Sequence, residues 1–187
     1  TGDFDASGSI MSLIDGNGST TSLSGHDFAF RGLFYNCTHL KSLPELPATV
    51  LGNYCYNLLF FGCTGLVSAA GTVLPAESVS SGAYNHMFYG CTGLKSAPEI
   101  KAKTVTGSGV FSNMFYNCSA LVSVQKKMYV VKGSGDTSKT STFSGMFCGC
   151  SNLVTAPSFE GVTALGTNDF STAFQNCTKL QSINLDT

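Results

Sequence analysis

The sequence contains no tryptophan, and few of its residues carry a charge. Lys, Arg, Asp and Glu make up 11% of the 187 residues, against about 25% in a typical soluble protein. The net charge of −1 gives no electrostatic reason to expect nucleic acid or an anionic membrane surface as a partner. No apolar run approaches the roughly 18 residues of a membrane-spanning helix. We therefore expect one folded domain without a membrane-spanning segment.

Residues that carry catalysis are also scarce. The three histidines are His26, His39 and His86, and none of them recurs beside a carboxylate or hydroxyl partner. The segment 3–8, Asp-Phe-Asp-Ala-Ser-Gly, resembles the first half of a calcium loop, but Ile14 stands where the full pattern has Glu. We expect a protein that is not an enzyme and that has neither a metal site nor a cofactor.

The eight cysteines indicate a repeat. Ligand pairs in zinc knuckles are only two to four residues apart, whereas six of these cysteines recur at intervals of 26, 28, 27, 32 and 27 residues. They are Cys37, Cys63, Cys91, Cys118, Cys150 and Cys177. Stacked copies would hold their side chains parallel, a poor geometry for disulfides, so we expect buried thiols. Disulfides between adjacent copies are the alternative.

The same residue types recur at fixed distances from each periodic cysteine, which we number position 0. Position −7 is always aromatic: Phe30, Tyr56, Tyr84, Phe111, Phe143 and Phe170. Position −3 is always Phe: Phe34, Phe60, Phe88, Phe115, Phe147 and Phe174. Position +3 is always Leu: Leu40, Leu66, Leu94, Leu121, Leu153 and Leu180. Six copies with matching columns establish an internal repeat.

The columns predict local structure. Positions −7, −4, −3 and 0 match the helical spacing i, i+3, i+4, i+7, and Gly or Asn at −1 is typical of a helix end. The apolar residues after each cysteine, such as Leu40–Leu43, predict a strand. The expected fold is therefore an α/β, β-rich leucine-rich-repeat solenoid of about six stacked coils. Each repeat would contain one short helix and one short parallel strand.

We expect one domain with two parts. Residues 1–32 form an N-terminal cap, with a strand at 10–14, and residues 33–187 form the solenoid. The interval from Cys118 to Cys150 is the longest and predicts a protruding hairpin that turns at 133–136. The chain begins at Thr1 rather than Met, which suggests a mature or trimmed form.

These columns resemble those of the BspA-like leucine-rich-repeat surface proteins of gut and oral bacteria. The resemblance is carried by Met-Phe-Tyr-Gly-Cys-Thr-Gly-Leu at 87–94 and by Leu-Pro-Glu-Leu-Pro-Ala-Thr at 43–49. It covers about residues 28–187, because the spacing Phe-x-x-Cys-x-x-x-Leu recurs six times. The resemblance implies a bacterial cell-surface or secreted protein with an adhesive or binding role, and no fixed ligand.

Two surfaces are candidates for binding. Position −2 contains Tyr35, Phe61, Tyr89 and Tyr116 in successive copies, and on a helix it would face outward. Such a stripe of rings suits sugar rings or a protein partner. Alternatively, each ring packs on its neighbours and covers the junction between copies. The second surface is the outward side of the strands, with Lys41 and Lys95, although the valines of that column could equally belong to the core.

The sequence thus predicts a non-catalytic recognition or adhesion module. Its expected partner is a host or bacterial surface protein or a glycan, outside the cell or on its surface. The alternative is a structural spacer, or an assembly subunit of a surface appendage or particle that associates with itself. Exposed aromatic side chains favour binding, whereas a bare polar surface with self-complementary ends would favour assembly.

Overall fold

The computed structural model describes residues 2–129, 131, 137–162 and 164–183. Regular secondary structure is sparse in these residues. The elements are β1 (Phe4–Asp5), α1 (Ser12–Asp15), β2 (Leu40–Ser42), β3 (Val73–Leu74), β4 (Ser78–Val79), β5 (Glu99–Ile100), β6 (Thr104–Val105), β7 (Lys127–Tyr129) and β8 (Ser158–Glu160). No helix in the described part of the chain is long and apolar enough to cross a membrane.

The strands pair in parallel but do not form one sheet. They make four separate two-stranded sheets, β1–β2, β3–β5, β4–β6 and β7–β8. Isolated parallel bridges add contacts between copies, as where Ser96 bridges both Ser68 and Ser123. Regular pairing is therefore confined to two or three residues at a time.

The predicted leucine-rich-repeat solenoid, with one helix and one strand in each repeat, is wrong. The single α-helix of the described residues, α1, has four residues and lies in the N-terminal segment. Positions −7 to 0 contain no helix in any of the six copies. The continuous parallel sheet that such a solenoid needs is also missing from the described residues.

Overlapping turns take the place of the predicted helices. We call positions −9 to 0 of each copy the turn segment; the six turn segments are 28–37, 54–63, 82–91, 109–118, 141–150 and 168–177. The N–H groups at −6, −4, −2 and 0 each donate to the carbonyl three residues earlier, at 2.9–3.4 Å. An α-helix would instead bond every N–H to the carbonyl four residues earlier.

The remaining N–H groups of a turn segment donate to the neighbouring copy. At each of the five junctions, positions −9, −7, −5, −3 and −1 donate to carbonyls of the next copy at 2.7–3.1 Å. Phe34, for example, donates to the carbonyl of Leu59 at 3.0 Å. Alternate N–H groups thus close turns within a copy and join one copy to the next, so an uninterrupted helix cannot form.

A left-handed residue at every fourth position produces these turns. Positions −9, −5 and −1 have φ between 53° and 77° in all six copies. Gly or Asn occupies twelve of these eighteen places, because L-residues with larger side chains adopt this conformation at a cost of about 1–2 kcal/mol. At Gly149, with φ of 77°, an added Cβ would also collide with the side chain of Asn117 in the preceding copy.

Two stacks of rings form the core. The rings of position −7 and those of position −3 stack along the copies, with neighbouring centroids 4.9–6.2 Å apart. Leu66 and Leu94, at position +3, are fully buried beside them. The columns that the sequence shows to be apolar therefore do lie inside, although no helix holds them there.

The N-terminal segment covers one end of this core. Strand β1 pairs with β2, and Ile10, Met11 and Leu23 are buried. The strand predicted at 10–14 is wrong, since residues 12–15 form α1. The turn of the predicted hairpin, at 133–136, lies outside the described residues, whereas β7 from the same interval pairs in parallel with β8 of the next copy.

Candidate binding surface

The four aromatic residues of position −2 form one continuous stack, the aromatic ladder. Its members are Tyr35, Phe61, Tyr89 and Tyr116. Neighbouring ring centroids are 4.6, 4.7 and 4.7 Å apart, and the ring planes are parallel within 5°. The turn segments produce this spacing, because backbone hydrogen bonds hold successive copies in register.

The stacking decides which parts of the rings a ligand can reach. Both faces of Phe61 and of Tyr89 are covered by neighbouring rings, so these two residues present ring edges to solvent. Tyr35 is stacked on one side by Phe61 and keeps 48% of its surface exposed. The ladder thus offers one accessible ring face, at Tyr35, and a row of ring edges and hydroxyls.

The aromatic ladder ends at Tyr116, which contacts the thiol of Cys148. Cys148 occupies position −2 in the fifth copy and is buried. A hydrogen bond between the Tyr116 side chain and Cys148 raises the pKa of the Tyr116 hydroxyl. The thiol in turn lies 3.8 Å from Oε1 of Gln175, at the same position in the sixth copy. The aromatic row therefore spans four copies and passes into a polar row.

A second pair of rings was missed by the sequence-based prediction. Phe28 and Tyr54, both at position −9, stack with centroids 5.3 Å apart and planes parallel within 5°. The guanidinium carbon of Arg31 lies 5.8 Å from the Phe28 ring centroid, within range of a cation–π contact. Aromatics at −9 occur in only the first two copies, so this column is less conspicuous than the others.

A row of amide groups accompanies the rings at position −6. Arg31 donates through Nε to Oδ1 of Asn57 at 3.1 Å. Asn57 donates through Nδ2 to Oδ1 of Asn85 at 2.9 Å, and Asn85 donates to the carbonyl of Gly109 at 3.3 Å. Polar groups with fixed orientation therefore run from copy to copy in the same segments that carry the aromatic ladder.

Lys41 and Lys95 belong to another row, at position +4. Lys41 pairs with Asp3 of the N-terminal segment, with 3.3 Å between Nζ and Oδ1. Lys95 is exposed between Val67 and Val122, which are 47% and 48% exposed. The structure thus turns this column outward, and the six predicted site residues divide into two rows.

The buried thiols Cys55 and Cys63 are poor nucleophiles. All eight are free, and six of them are buried. Burial raises the pKa of Cys63 to about 12 and that of Cys55 to about 12. Because the thiolate is the reactive form, such thiols stay protonated and unreactive at neutral pH. Among the described residues, no group of three or more His, Cys, Asp or Glu side chains could hold a metal ion.

Comparison of the chain with protein-family models, with curated proteins and with solved structures finds no match. The resemblance to BspA-like surface proteins therefore stays an expectation from the residue columns.

Proposed function

We propose that the protein is a non-catalytic recognition module whose aromatic ladder contacts a ligand. The observation that carries this proposal is the row of four stacked rings, which begins at the half-exposed Tyr35. Stacked neighbours fix the ring positions before any ligand arrives, so little conformational entropy is lost on binding. Tyrosine also combines a large apolar ring with a polar hydroxyl, the combination that is enriched at interfaces.

A protein ligand fits this ladder better than a chain of sugars does. Sugar rings stack on the faces of aromatic rings, and the faces of Phe61 and Tyr89 are already occupied. Ring edges, tyrosine hydroxyls and the partly exposed Asn85 suit the mixed apolar and polar contact of a protein interface. A glycan is the second ligand class, and it would be limited to the open face of Tyr35.

The cellular location of the protein is proposed from the sequence resemblance and not from the aromatic ladder. The resemblance to BspA-like surface proteins predicts a secreted or cell-surface protein, and the partner would then be a host or bacterial surface molecule. Buried free thiols are compatible with this setting, because burial protects them from oxidants.

Binding arrays test the proposal directly. The wild-type chain and the variant Tyr35→Ala are applied to an array of purified cell-surface and extracellular proteins and to a glycan array. We expect binding to a protein on the array, weakened by about tenfold or more in Tyr35→Ala if the ring is a hot spot. The control Leu13→Ala removes an apolar side chain that is 65% exposed but lies in α1, and it should bind as the wild type does.

Three outcomes would count against this function. Equal weakening by Leu13→Ala and Tyr35→Ala would contradict a ligand on the ladder. Binding confined to glycans would overturn the preference for a protein. No ligand on either array, together with concentration-dependent oligomers in sedimentation measurements, would favour the alternative of a structural or assembly subunit.

A further inference from the structure

A groove separates the segments that follow the first two leucines of the repeat. Residues 43–47 form one wall, residues 71–73 and Pro75 form the other, and the cavity between them has a volume of about 410 Å³. The lining is mainly apolar and includes three prolines, Pro44, Pro47 and Pro75. None of these residues belongs to the aromatic ladder, so the groove is a separate surface.

The second wall is the unpaired edge of a strand. On its paired side, β3 accepts hydrogen bonds from β5, from Glu99 N–H to the carbonyl of Thr72 at 2.9 Å and from Lys101 N–H to the carbonyl of Leu74 at 3.0 Å. Successive residues of a strand direct their backbone groups to opposite sides. The N–H and C=O of Val73 therefore face the groove, and no described residue bonds them.

The first wall is hydrogen-bonded to the N-terminal segment. Glu45 uses both its backbone groups on the N-terminal segment, donating to the carbonyl of Gly8 at 2.8 Å and accepting from Ile10 N–H at 3.1 Å. Leu46, the next residue, is 2% exposed, so its backbone is not accessible to a partner. The open strand edge of the groove is therefore that of Val73, which is 38% exposed.

Three prolines reduce the number of backbone hydrogen-bond donors along the two walls. Pro44 and Pro47 flank the segment of the first wall, and Pro75 follows β3 directly. Proline has no N–H to donate to a ladder. The regular parallel pairing seen between β3 and β5, one junction further along, is missing between the described residues of the two walls.

At another junction of the chain, a side-chain amide bonds the open edge of a strand. Two junctions further along, the N–H of Ile100 donates to Oε1 of Gln125 at 2.7 Å, and Nε2 of Gln125 donates to the carbonyl of Ile100 at 3.2 Å. The side-chain amide thereby makes the two bonds that a neighbouring strand would make. Val73, between the first two copies, offers the same pair of groups without such an amide.

We propose that the groove binds an extended peptide segment of a partner protein, which pairs with Val73 as an added strand. A residue in a sheet occupies about 160 Å³, from a rise of ~3.3 Å, a strand spacing of ~4.8 Å and a layer spacing of ~10 Å. The cavity therefore takes two to three residues. Main-chain hydrogen bonds supply the affinity in this mode of recognition, and the apolar lining receives alternate side chains.

The charge of the groove selects the side chain of the peptide. Glu45 is the one ionisable residue of its lining. The carboxylate is exposed and has no ion-pair partner among the described residues. A lysine or arginine in the peptide would complement it, and an acidic residue would be repelled.

Titration of the labelled full chain with short peptides tests the proposal. The probe is acetyl-Val-Lys-Val-amide, followed by the backbone amide signals of Val73 and its chain neighbours in nitrogen-15 spectra. These signals should shift and saturate, and methylation of the central peptide nitrogen should weaken binding about 3- to 10-fold by removing one hydrogen bond. The variant Glu45→Gln should abolish the preference for this peptide over one with Glu in place of Lys.

Matched variants separate a backbone effect from a side-chain effect. Val73→Pro removes the N–H that faces the groove, whereas Val73→Thr keeps it, and only Val73→Pro should weaken binding. The methylated peptide needs no variant, so the test stands even where Val73→Pro fails to fold. Absence of shifts at millimolar peptide, or indifference to methylation, would overturn the proposal. Concentration-dependent shifts of the same amides without peptide would instead assign the groove to a second copy of the chain.

Discussion

The thiol of Cys91 donates a hydrogen bond to the carbonyl oxygen of Phe60, in the preceding copy, at 3.1 Å. That carbonyl also accepts the N–H of Cys63 from its own copy at 3.2 Å. The same thiol-to-carbonyl bond recurs at 3.0–3.1 Å in each of the five junctions. The periodic cysteine is therefore both a small apolar core residue and the donor that links neighbouring copies.

Thiol accessibility should reflect this arrangement. Cys37 and Cys177, in the first and last copies, are half-buried, and the other six cysteines are buried. We expect at most these two to react within minutes with a thiol reagent at pH 8, and all eight to react in urea. Rapid modification of four or more thiols in the native protein would contradict the buried, hydrogen-bonded positions.

Stability should fall at alkaline pH for the same reason. Burial raises the pKa of Cys63 from 9.0 to about 12, so above pH 9 the folded chain holds a proton that the unfolded chain releases. The stabilisation is complete below pH 9 and is lost as the pH rises towards 12. Urea unfolding at pH 7, 9, 10 and 11 measures this decline. Cys63→Ala should show a shallower pH dependence than the wild type, and an equal slope would contradict the assignment.

Removing a core ring should cost far more than removing a ladder ring. Phe115 is 1% exposed and stacks between Phe88 and Phe147, so Phe115→Ala should lower the free energy of unfolding by about 3–5 kcal/mol. Tyr89 is partly exposed, and Tyr89→Ala should cost clearly less. Urea denaturation of both variants measures the difference. Equal losses would show that the ladder is part of the core.

One tyrosine hydroxyl should destabilise the protein. The hydroxyl of Tyr84 is buried, and no described residue hydrogen-bonds it. Four of the six copies have Phe at this position. A buried hydroxyl without a partner costs about 1–3 kcal/mol, so Tyr84→Phe should raise the melting temperature. Tyr35→Phe, which removes a hydroxyl from a half-exposed ladder residue, is the control and should change stability little.

Glycine at position −1 should tolerate alanine poorly. Gly149→Ala combines a left-handed backbone with a collision against Asn117, and we expect a loss of about 2–4 kcal/mol. Gly71→Ala is the matched control, since Gly71 has φ of 86° but open space where the Cβ would lie. Its cost should stay near the backbone term of about 1–2 kcal/mol. Thermal unfolding of both variants distinguishes the two contributions.

The sequence columns predict the core but not its backbone. Over eight residues, the spacing of Phe30, Phe34 and Cys37 fits a helical period of 3.6 residues and a turn period of four almost equally well. The signal that distinguishes the two is the recurrence of Gly and Asn at −9, −5 and −1. This signal is weakened because other residue types occupy six of the eighteen places. Leu58 and Thr172, for example, adopt positive φ although neither residue type favours it.

The binding surfaces were predictable to different degrees. The column of Tyr35 is visible in the sequence because it recurs in four copies, but face-to-face stacking depends on a spacing that the turn segments set. The groove at Val73 corresponds to no repeated pattern in the sequence. Its open edge arises because two particular segments do not pair, and which segments pair is a property of the folded chain.

The alternation of hydrogen bonds also limits where the chain can gain or lose residues. Deleting or inserting one residue within a turn segment would exchange the N–H groups that close turns with those that join copies. The five backbone hydrogen bonds to the next copy would then be lost at that junction. Length can therefore vary only outside positions −9 to 0. The 32-residue interval agrees, since its additional residues lie between Cys118 and the turn segment that starts at Ser141. A designer could lengthen or replace those outer segments, the groove walls among them, while keeping the ten-residue turn segments as an invariant frame.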